Sequence, residues 1–355
     1  MLPLFKVFTP TSLNISTINE IIQSGNLSFS RYGRQFENSL REYVGNKYIL
    51  TTSNNNYAML IAFAAIGLVA GDEVIASPMA CLASNQPILN FQAKVVWADV
   101  DPLTGTLDPL DVRKKITPKT KAILHYHWGG FPGYIDEINE IGLEYGIQVI
   151  DDAIEAFGSE YKNNKLGNTN TPITCFSFQA VRLPNTVDGG AIAFKSEDLY
   201  NKAKLIRDFG IDRSTFRDRH GEISARSDIN LFGYNAMMSE LNSFLGIEQM
   251  KQVDQLITAQ RNNARFWDNH FTQSGDRLIN KRSEVLPNYW IYSALVEYRI
   301  ERMHQLRKEG YYCSSVHLRN DLYSVFGKRS TELKGTDEFA HKQISVPSGW
   351  WATLA

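Results

Sequence analysis

The sequence has few cysteines and no long uninterrupted apolar segment. Only Cys81, Cys175 and Cys313 occur among 355 residues. Their scattered positions exclude a disulfide framework and a cysteine-ligated metal, and they are typical of a reducing cytoplasm. The longest apolar segment, near residues 59–70, is shorter than the roughly 18 residues that cross a bilayer. The start, MLPLFKVFTP, is too short and too interrupted by proline for a signal peptide. We therefore predict a cytoplasmic protein with no membrane partner.

The sequence also lacks an excess of either charge. The 37 basic and 38 acidic residues give a formal net charge of −1. This balance is not typical of a nucleic-acid-binding surface, so no nucleic-acid partner is expected. The apolar fraction is 43% and the charged fraction 21%, which are normal values for a globular protein with a sizeable core. The length allows one large α/β unit with a smaller second domain.

Apolar strand patterns alternate with helical patterns through the first two thirds of the chain. The helices are predicted at residues 33–44, 55–69 and 135–145. Strands are predicted at residues 48–52, 93–101, 122–125, 147–152, 173–178 and 190–195, and a turn followed by a strand is predicted at residues 71–78. This alternation of strands and helices predicts a mostly parallel sheet with helices on both faces. Ligands bind such sheets beyond the carboxyl ends of the strands.

The pattern changes near residue 239. Residues 239–266 predict one long helix, and a strand at 289–298, a helix at 302–309 and a strand at 312–316 follow. We therefore expect a large domain at residues 1–238 and a small α+β domain at residues 239–355.

Residues 176–190 read FSFQAVRLPNTVDGG. This segment resembles the cofactor-lysine segment of the nucleotide-sugar aminotransferases (DegT/DnrJ/StrS type), which are fold-type I pyridoxal phosphate (PLP) enzymes. Family members carry Ser-Phe/Leu-His-x-x-Lys and a glycine pair seven residues after the lysine. The stretches GDEVI, AKVVWADVDPLTGTLDP and GYNAMMSELNSFLGIEQMKQVD extend the resemblance over nearly the whole chain. The resemblance implies the fold-type I PLP-transferase fold. Family members usually continue with a further helix at their C-terminal end. By this resemblance the sequence is expected to be short at that end.

Arg182 stands at the lysine position of this motif. A neutral lysine amine forms a Schiff base with an aldehyde. A guanidinium is delocalised and permanently protonated, so it offers no nucleophilic lone pair. We therefore expect that no internal aldimine forms.

The resemblance implies roles for several other residues. Asp152 matches the aspartate that pairs with the pyridine nitrogen of PLP, whereas Glu155 replaces a glutamine that faces the phenolic oxygen. Ser177 matches a phosphate-binding hydroxyl, and Gln179 replaces the usual histidine. The aromatic residue that stacks on the ring maps near Cys81 or Met79, neither of which is aromatic.

The phosphate site is also altered in part. Asn55 and Asn56 replace a Ser/Gly-Thr turn at a helix N-terminus, where backbone N–H groups meet the anion. Asn235 matches an asparagine that reaches the phosphate from the neighbouring subunit. The resemblance therefore implies a homodimer.

These departures leave two hypotheses for a protein that processes nucleotide-linked sugars in deoxysugar or surface polysaccharide synthesis. In the first, PLP or pyridoxamine phosphate (PMP) binds without a covalent anchor. A proton-transferring group is then needed, and Glu155, His127 and His317 are the candidates. In the second, no cofactor binds, because Arg182 lies between Asp152 and Glu155 and fills the pocket of a non-catalytic, nucleotide-sugar-binding or partner subunit.

His125 and His127 form a His-x-His pair. Such a pair suggests a metal site, but no third ligand follows at a suitable spacing. We therefore predict no metal.

Overall fold

The computed structural model describes residues 1–11, 13–327 and 332–354. Its helices lie at α1 Ile15–Gln23, α2 Arg31–Val44, α3 Asn55–Ala65, α4 Leu82–Leu89, α5 Pro109–Lys115, α6 Ile135–Tyr145, α7 Glu197–Ile206, α8 Glu240–Met250, α9 Val253–Gln273, α10 Arg299–Lys308 and α11 Lys334–Lys342. Its strands lie at β1 Ile49–Thr52, β2 Glu73–Ala76, β3 Lys94–Trp97, β4 Thr120–Tyr126, β5 Gln148–Asp152, β6 Glu160–Tyr161, β7 Asn164–Lys165, β8 Ile173–Ser177, β9 Gly190–Phe194, β10 Arg277–Leu278, β11 Val285–Leu286, β12 Tyr292–Leu295 and β13 Gln343–Val346.

Seven strands form the main sheet, in the order β1-β9-β8-β5-β4-β2-β3. Only β9 runs against the others, pairing antiparallel with both β1 and β8. The predicted mostly parallel sheet is therefore confirmed. Strands β2, β5, β8 and β9 are buried in their interior positions because helices cover both faces of the sheet, as their continuous apolar character requires.

Neighbouring residues of one strand belong to different cores. Ile150 packs with helix α3, whereas Val149 packs with helix α6. Helix α3 is buried along almost its whole length, which explains why its sequence is apolar on every side. The side chain of Asn54 caps its first turn by accepting a hydrogen bond from the Tyr57 N–H at 2.9 Å.

The C-terminal part contains a second sheet, of order β10-β12-β13. The predicted single helix at 239–266 is wrong, because the chain forms α8 and α9 instead. Gln252 leaves the helical conformation (φ −122°, ψ −2°) between them. This break lets Phe244 and Val253 both reach buried positions.

The predicted strand at 312–316 is also wrong. Only isolated bridges form in this region, such as that between Ser314 and Ser345. Val316 has φ +60°, a left-handed conformation that ends the extended chain just before His317. The remaining predicted strands and helices are present, with ends that differ by a few residues.

No helix in the described part of the chain combines the length and apolar character needed to cross a membrane.

Candidate active site

The candidate site lies beyond the carboxyl ends of three adjacent strands of the main sheet. Strand β4 ends at Tyr126, β5 at Asp152 and β8 at Ser177. This is where a mostly parallel sheet places its ligand-binding loops. Glu155 follows β5 by one turn, and Arg182 lies on the connection from β8 to β9.

Arg182 is buried, with 6% of its surface exposed. Its Nη2 donates to Glu155 Oε1 at 3.4 Å, and its guanidinium lies 3.8 Å from the ring centroid of Trp290. Trp290 is fixed in turn, because its indole N–H donates to the Val181 carbonyl at 2.9 Å. The arginine is therefore held by an ion pair on one edge and by an aromatic ring on one face.

Glu155 is the centre of this network. Its Oε1 also lies 2.9 Å from His317 Nε2, and its Oε2 accepts from the Gly129 N–H at 3.0 Å. Tyr126 adds a further hydrogen bond. Burial is the largest single influence and favours the neutral acid, but His317, Arg182 and Tyr126 together outweigh it and hold the pKa of Glu155 below its ordinary value. Glu155 is therefore a buried carboxylate that stays ionised.

Asp152 has a contrasting environment. It is completely buried, and its Oδ2 has no hydrogen-bond partner among the described residues. Its Oδ1 receives a long contact, 3.4 Å, from the Ile154 N–H. Burial raises the pKa of Asp152 to about 7, although Ser84 and the Ile154 N–H oppose the rise. Arg182 forms an ion pair with Glu155 but none with Asp152 in the described chain. The expectation that Arg182 lies between the two carboxylates and pairs with both is therefore wrong.

The predicted phosphate-binding residues lie in three different settings. Asn55 is buried in the first turn of α3 with its side-chain oxygen unpartnered among the described residues, whereas Asn56 beside it is exposed. Ser177 is buried, and its hydroxyl accepts the Gln179 N–H at 3.4 Å, while the Gln179 side chain is exposed. Asn235 is exposed in the segment between α7 and α8.

Cys81 lies beside the same network. Burial raises the pKa of its thiol; a backbone N–H of Ala83 opposes the rise, and the charges of Glu155 and Arg182 act in opposite senses. Met79, the other candidate for the ring-stacking position, is completely buried.

His127 is not part of the network around Glu155. It is completely buried beside His125 and Asp151, in a group whose ligand atoms lie within 4.8 Å of one another. Asp151, which sequence spacing did not suggest, is thus a third candidate ligand. Asp151 Oδ1 lies 3.2 Å from His125 Nδ1 and 3.3 Å from His127 Nε2.

One hydrogen bond of this histidine group bears on whether it could bind a metal. His127 Nδ1 accepts the Gly133 N–H at 3.0 Å, so the ring proton of a neutral His127 is on Nε2, which lies 3.3 Å from Asp151 Oδ1 without a directed hydrogen bond. A metal-bound histidine normally donates from its second nitrogen rather than accepting there. Burial opposes the ionised form of Asp151, but the two histidines hold its pKa well below the ordinary range. The acceptor role of His127 Nδ1 favours an internal His–Asp–His pairing, and the absence of a metal stays a prediction.

Sequence reasoning missed Trp290 as a site residue, and it missed the contact of Tyr126 with Glu155. Tyr126 lies between the two histidines that drew attention as a metal motif, and Trp290 lies in an apolar segment typical of a core strand. Neither position carries a local pattern that indicates a contact with residues about 30 to 190 positions away in the sequence.

The fold and this site define the chain as a PLP-transferase scaffold of fold type I. The sequence pattern of the DegT/DnrJ/EryC1/StrS aminotransferase family matches residues 11–352. The chain belongs to this family.

Individual relatives agree with this assignment. The spore coat polysaccharide biosynthesis protein SpsC of Bacillus subtilis is 30% identical over 70% of this chain and 65% of its own, so the match spans about two thirds of SpsC. The GDP-perosamine synthase of Caulobacter vibrioides is 29% identical over 75% of this chain and 69% of its own. The crystal structure of the sugar aminotransferase CalS13 from Micromonospora echinospora superposes with a TM-score of 0.92. It is 28% identical and covers 99% of this chain and 96% of CalS13.

Proposed function

We propose that this protein processes a nucleotide-linked sugar in deoxysugar or surface polysaccharide synthesis, without a covalent bond between a lysine and a cofactor. The observation that carries the proposal is the buried Arg182, held by Glu155 and Trp290 where the family motif has its lysine. A guanidinium stacked and ion-paired in this way is a permanent cation and not a nucleophile. The names of SpsC and the GDP-perosamine synthase support the class of pathway and substrate.

The residues present fit a non-covalently held PLP or PMP in two respects. The unpartnered, buried Asp152 Oδ2 suits a protonated ring nitrogen, and Asn55 with Ser177 at the start of α3 and the end of β8 would hold the phosphate. When bound, this cofactor supplies an electron sink for carbanion chemistry. Asn235, exposed on one protomer, would complete the phosphate site of a second copy, so we propose a cytoplasmic homodimer.

The test is a search for a lysine adduct. Purified protein is mixed with PLP, its absorbance spectrum is recorded, and the mixture is reduced with borohydride and analysed by peptide mass spectrometry. We expect no stoichiometric adduct on any lysine. A reduced PLP adduct on Lys165 or on another lysine would falsify the proposal.

A second candidate is a non-catalytic binding or partner subunit. It is favoured by the small space beside Arg182, since the cavity lined by Glu155, Ser177, Arg182 and Trp290 holds only about 10 Å³, roughly one water molecule. Thermal unfolding separates the two candidates, because a ligand that binds only the folded state raises the melting temperature. Stabilisation by PMP supports the enzyme, and stabilisation by nucleotide sugars alone supports the second candidate.

A further inference from the structure

A cavity of about 260 Å³ lies where the C-terminal part of the chain meets the loop after strand β4. Its lining includes Asp268 on α9, Leu278 on β10, Tyr292 on β12 and Phe131, which follows β4. Among the described residues, it shares no lining side chain with the small cavity beside Arg182. Its volume is just below the roughly 300 Å³ at which pockets for drug-sized ligands begin. The cavity therefore has room for a small metabolite.

The buried part of the lining, which we call the floor, consists of Phe131, Ile279, Tyr289 and Tyr292. The two tyrosine rings are nearly parallel, with their centroids 6.0 Å apart and their planes 12° apart. Phe131 lies edge-on to Tyr289, with centroids 5.1 Å apart. Rings that hold one another in this way present a rigid apolar surface, and burying an apolar ligand group against it is favourable.

Polar atoms beside the floor already have partners. The Tyr292 hydroxyl donates to Asp268 Oδ1 at 2.7 Å. Ser293 also lines the cavity, and its hydroxyl accepts from the Trp128 indole N–H at 3.2 Å and pairs with the Ser345 hydroxyl at 2.8 Å. These groups have little capacity left for a ligand, so the inner part of the cavity suits an apolar group.

Two opposite charges line the less buried part of the cavity. Asp268 is half-buried and Lys281 is exposed, and neither forms an ion pair within the described part of the chain. Lys281 Nζ donates to the Tyr289 hydroxyl at 3.4 Å, which leaves two of its three N–H donors for a ligand. Beside an apolar floor, the cavity thus offers one carboxylate and one ammonium group.

This mixture of charges selects the class of ligand. Burial raises the pKa of Tyr289, Asp268 raises it further, and Arg261 and Arg265 oppose the rise. A ligand that is only a cation is repelled by Lys281 and the two arginines, and one that is only an anion is repelled by Asp268. A molecule that carries both an ammonium and a carboxylate complements both. An α-amino acid is the small metabolite with these two groups on one carbon.

The backbone at the floor is strained. Tyr289 has φ +53°, a left-handed conformation that a bulky side chain rarely adopts. Strain of this kind persists where surrounding contacts fix it, and it concentrates at binding sites. The next residue is Trp290, whose ring packs on Arg182. A ligand on the floor therefore contacts the segment that positions the arginine.

We propose that this cavity binds a free α-amino acid with an apolar or aromatic side chain. The ammonium group of the amino acid lies on Asp268 and its carboxylate on Lys281. Its side chain packs on the floor formed by Tyr289 and Tyr292. The inference goes beyond the proposed function and does not rest on it.

Isothermal titration calorimetry of the full chain tests the ligand class, with L-phenylalanine and L-leucine as probes. We expect one site per chain with a Kd of about 1 mM or lower for at least one of them, and a raised melting temperature. 3-Phenylpropionate lacks the ammonium group and phenethylamine lacks the carboxylate. Each should bind about tenfold more weakly than L-phenylalanine or worse. If neither amino acid binds, or if either analogue binds as tightly as L-phenylalanine, the proposal is wrong.

Variants test the position of the site. Asp268→Asn keeps an oxygen that can accept from Tyr292 but loses the charge, so the affinity should fall about tenfold or more. Asp254→Asn is the matched control, because Asp254 is exposed on the same helix and also accepts from a tyrosine hydroxyl, that of Tyr43. It should bind the amino acid like wild type. Leu278→Trp fills the cavity and should abolish binding.

Circular dichroism and thermal unfolding establish that each variant is folded, and Asp268→Asn with Lys281→Met decides the matter if Leu278→Trp is not. Equal affinity of Asp268→Asn and wild type would overturn the proposal. Binding that is kept in Asp268→Asn but lost in Arg182→Met would place the amino acid in the candidate active site, and this too would overturn it. Neither result bears on the search for a lysine adduct, so the proposed function is tested separately.

Discussion

Asp152 and Glu155 are buried carboxyl groups three residues apart whose pKa values are shifted in opposite directions. The pKa of Asp152 rises to about 7 because burial acts on a group with few donors. Burial acts on Glu155 too, but His317 and Arg182 hold its pKa below the ordinary value. When the pKa values of two neighbouring carboxyl groups are shifted in opposite directions, one group can act as an acid while the other remains an anion. The replacement of glutamine by Glu155 is therefore coupled to the presence of Arg182 and His317.

The first prediction concerns the stability of the protein as a function of pH. The folded-state pKa of Asp152 lies above its unfolded value of 3.8, so folding favours the protonated form. Its contribution is fully present below that unfolded value and is lost as pH rises through about 7. Asp152→Asn cannot ionise, so the variant should gain stability over wild type as pH rises from about 4 to about 8, by at most ~4 kcal/mol. Urea unfolding at several pH values measures the difference.

Asp188→Asn is the control for this prediction, because Asp188 is exposed to solvent and the Gly189 N–H opposes the rise in its pKa that partial burial causes. A stability difference between Asp152→Asn and wild type that is constant with pH would show that Asp152 does not titrate in this range.

The second prediction concerns Arg182→Lys. Lysine restores a side chain that can attack an aldehyde once it is neutral, but loses the planar stacking on Trp290 and the donor geometry toward Glu155. If the ring and phosphate sites are intact, PLP should produce a new absorbance band and a borohydride-stable adduct on the new lysine. Arg207→Lys, which changes a buried arginine outside the site, is the matched control and should form none. No adduct in the Arg182→Lys protein would mean that the neighbouring substitutions have closed the pocket.

The third prediction concerns metal. Because His127 Nδ1 accepts the Gly133 N–H, and a metal-bound histidine normally donates from its second nitrogen, we predict that the buried histidine group binds no metal. Dialysis against a strong chelator should leave the melting temperature unchanged, and elemental analysis should find no stoichiometric zinc. A drop of several degrees after chelation, reversed by zinc, would contradict this interpretation.

Sequence patterns predicted the large sheet well because its strands are continuous apolar segments and its helices have clear caps. They missed the break between α8 and α9, since Gln252 carries no local signal of a helix end such as glycine or proline. In the site, Arg182 and Glu155 could be identified from the motif alone. The pairing of Glu155 with the candidate base His317, and that of Arg182 with Trp290, could not be identified. These partners lie more than 100 residues further along the chain and come close only through the fold.

The last prediction tests a buried ion pair that holds the first strand of the main sheet in place. Glu37 on α2 accepts from Arg207 Nη1 at 2.6 Å and from the Thr51 N–H at 3.0 Å, and all three residues are buried. Glu37→Gln removes the anion and leaves Arg207 as an uncompensated buried cation, which costs about 3–5 kcal/mol in comparable cases. Glu42→Gln on the exposed face of the same helix should change stability by less than about 0.5 kcal/mol. Urea denaturation of both variants makes the comparison, and equal midpoints for the two would mean that the pair does not stabilise the sheet.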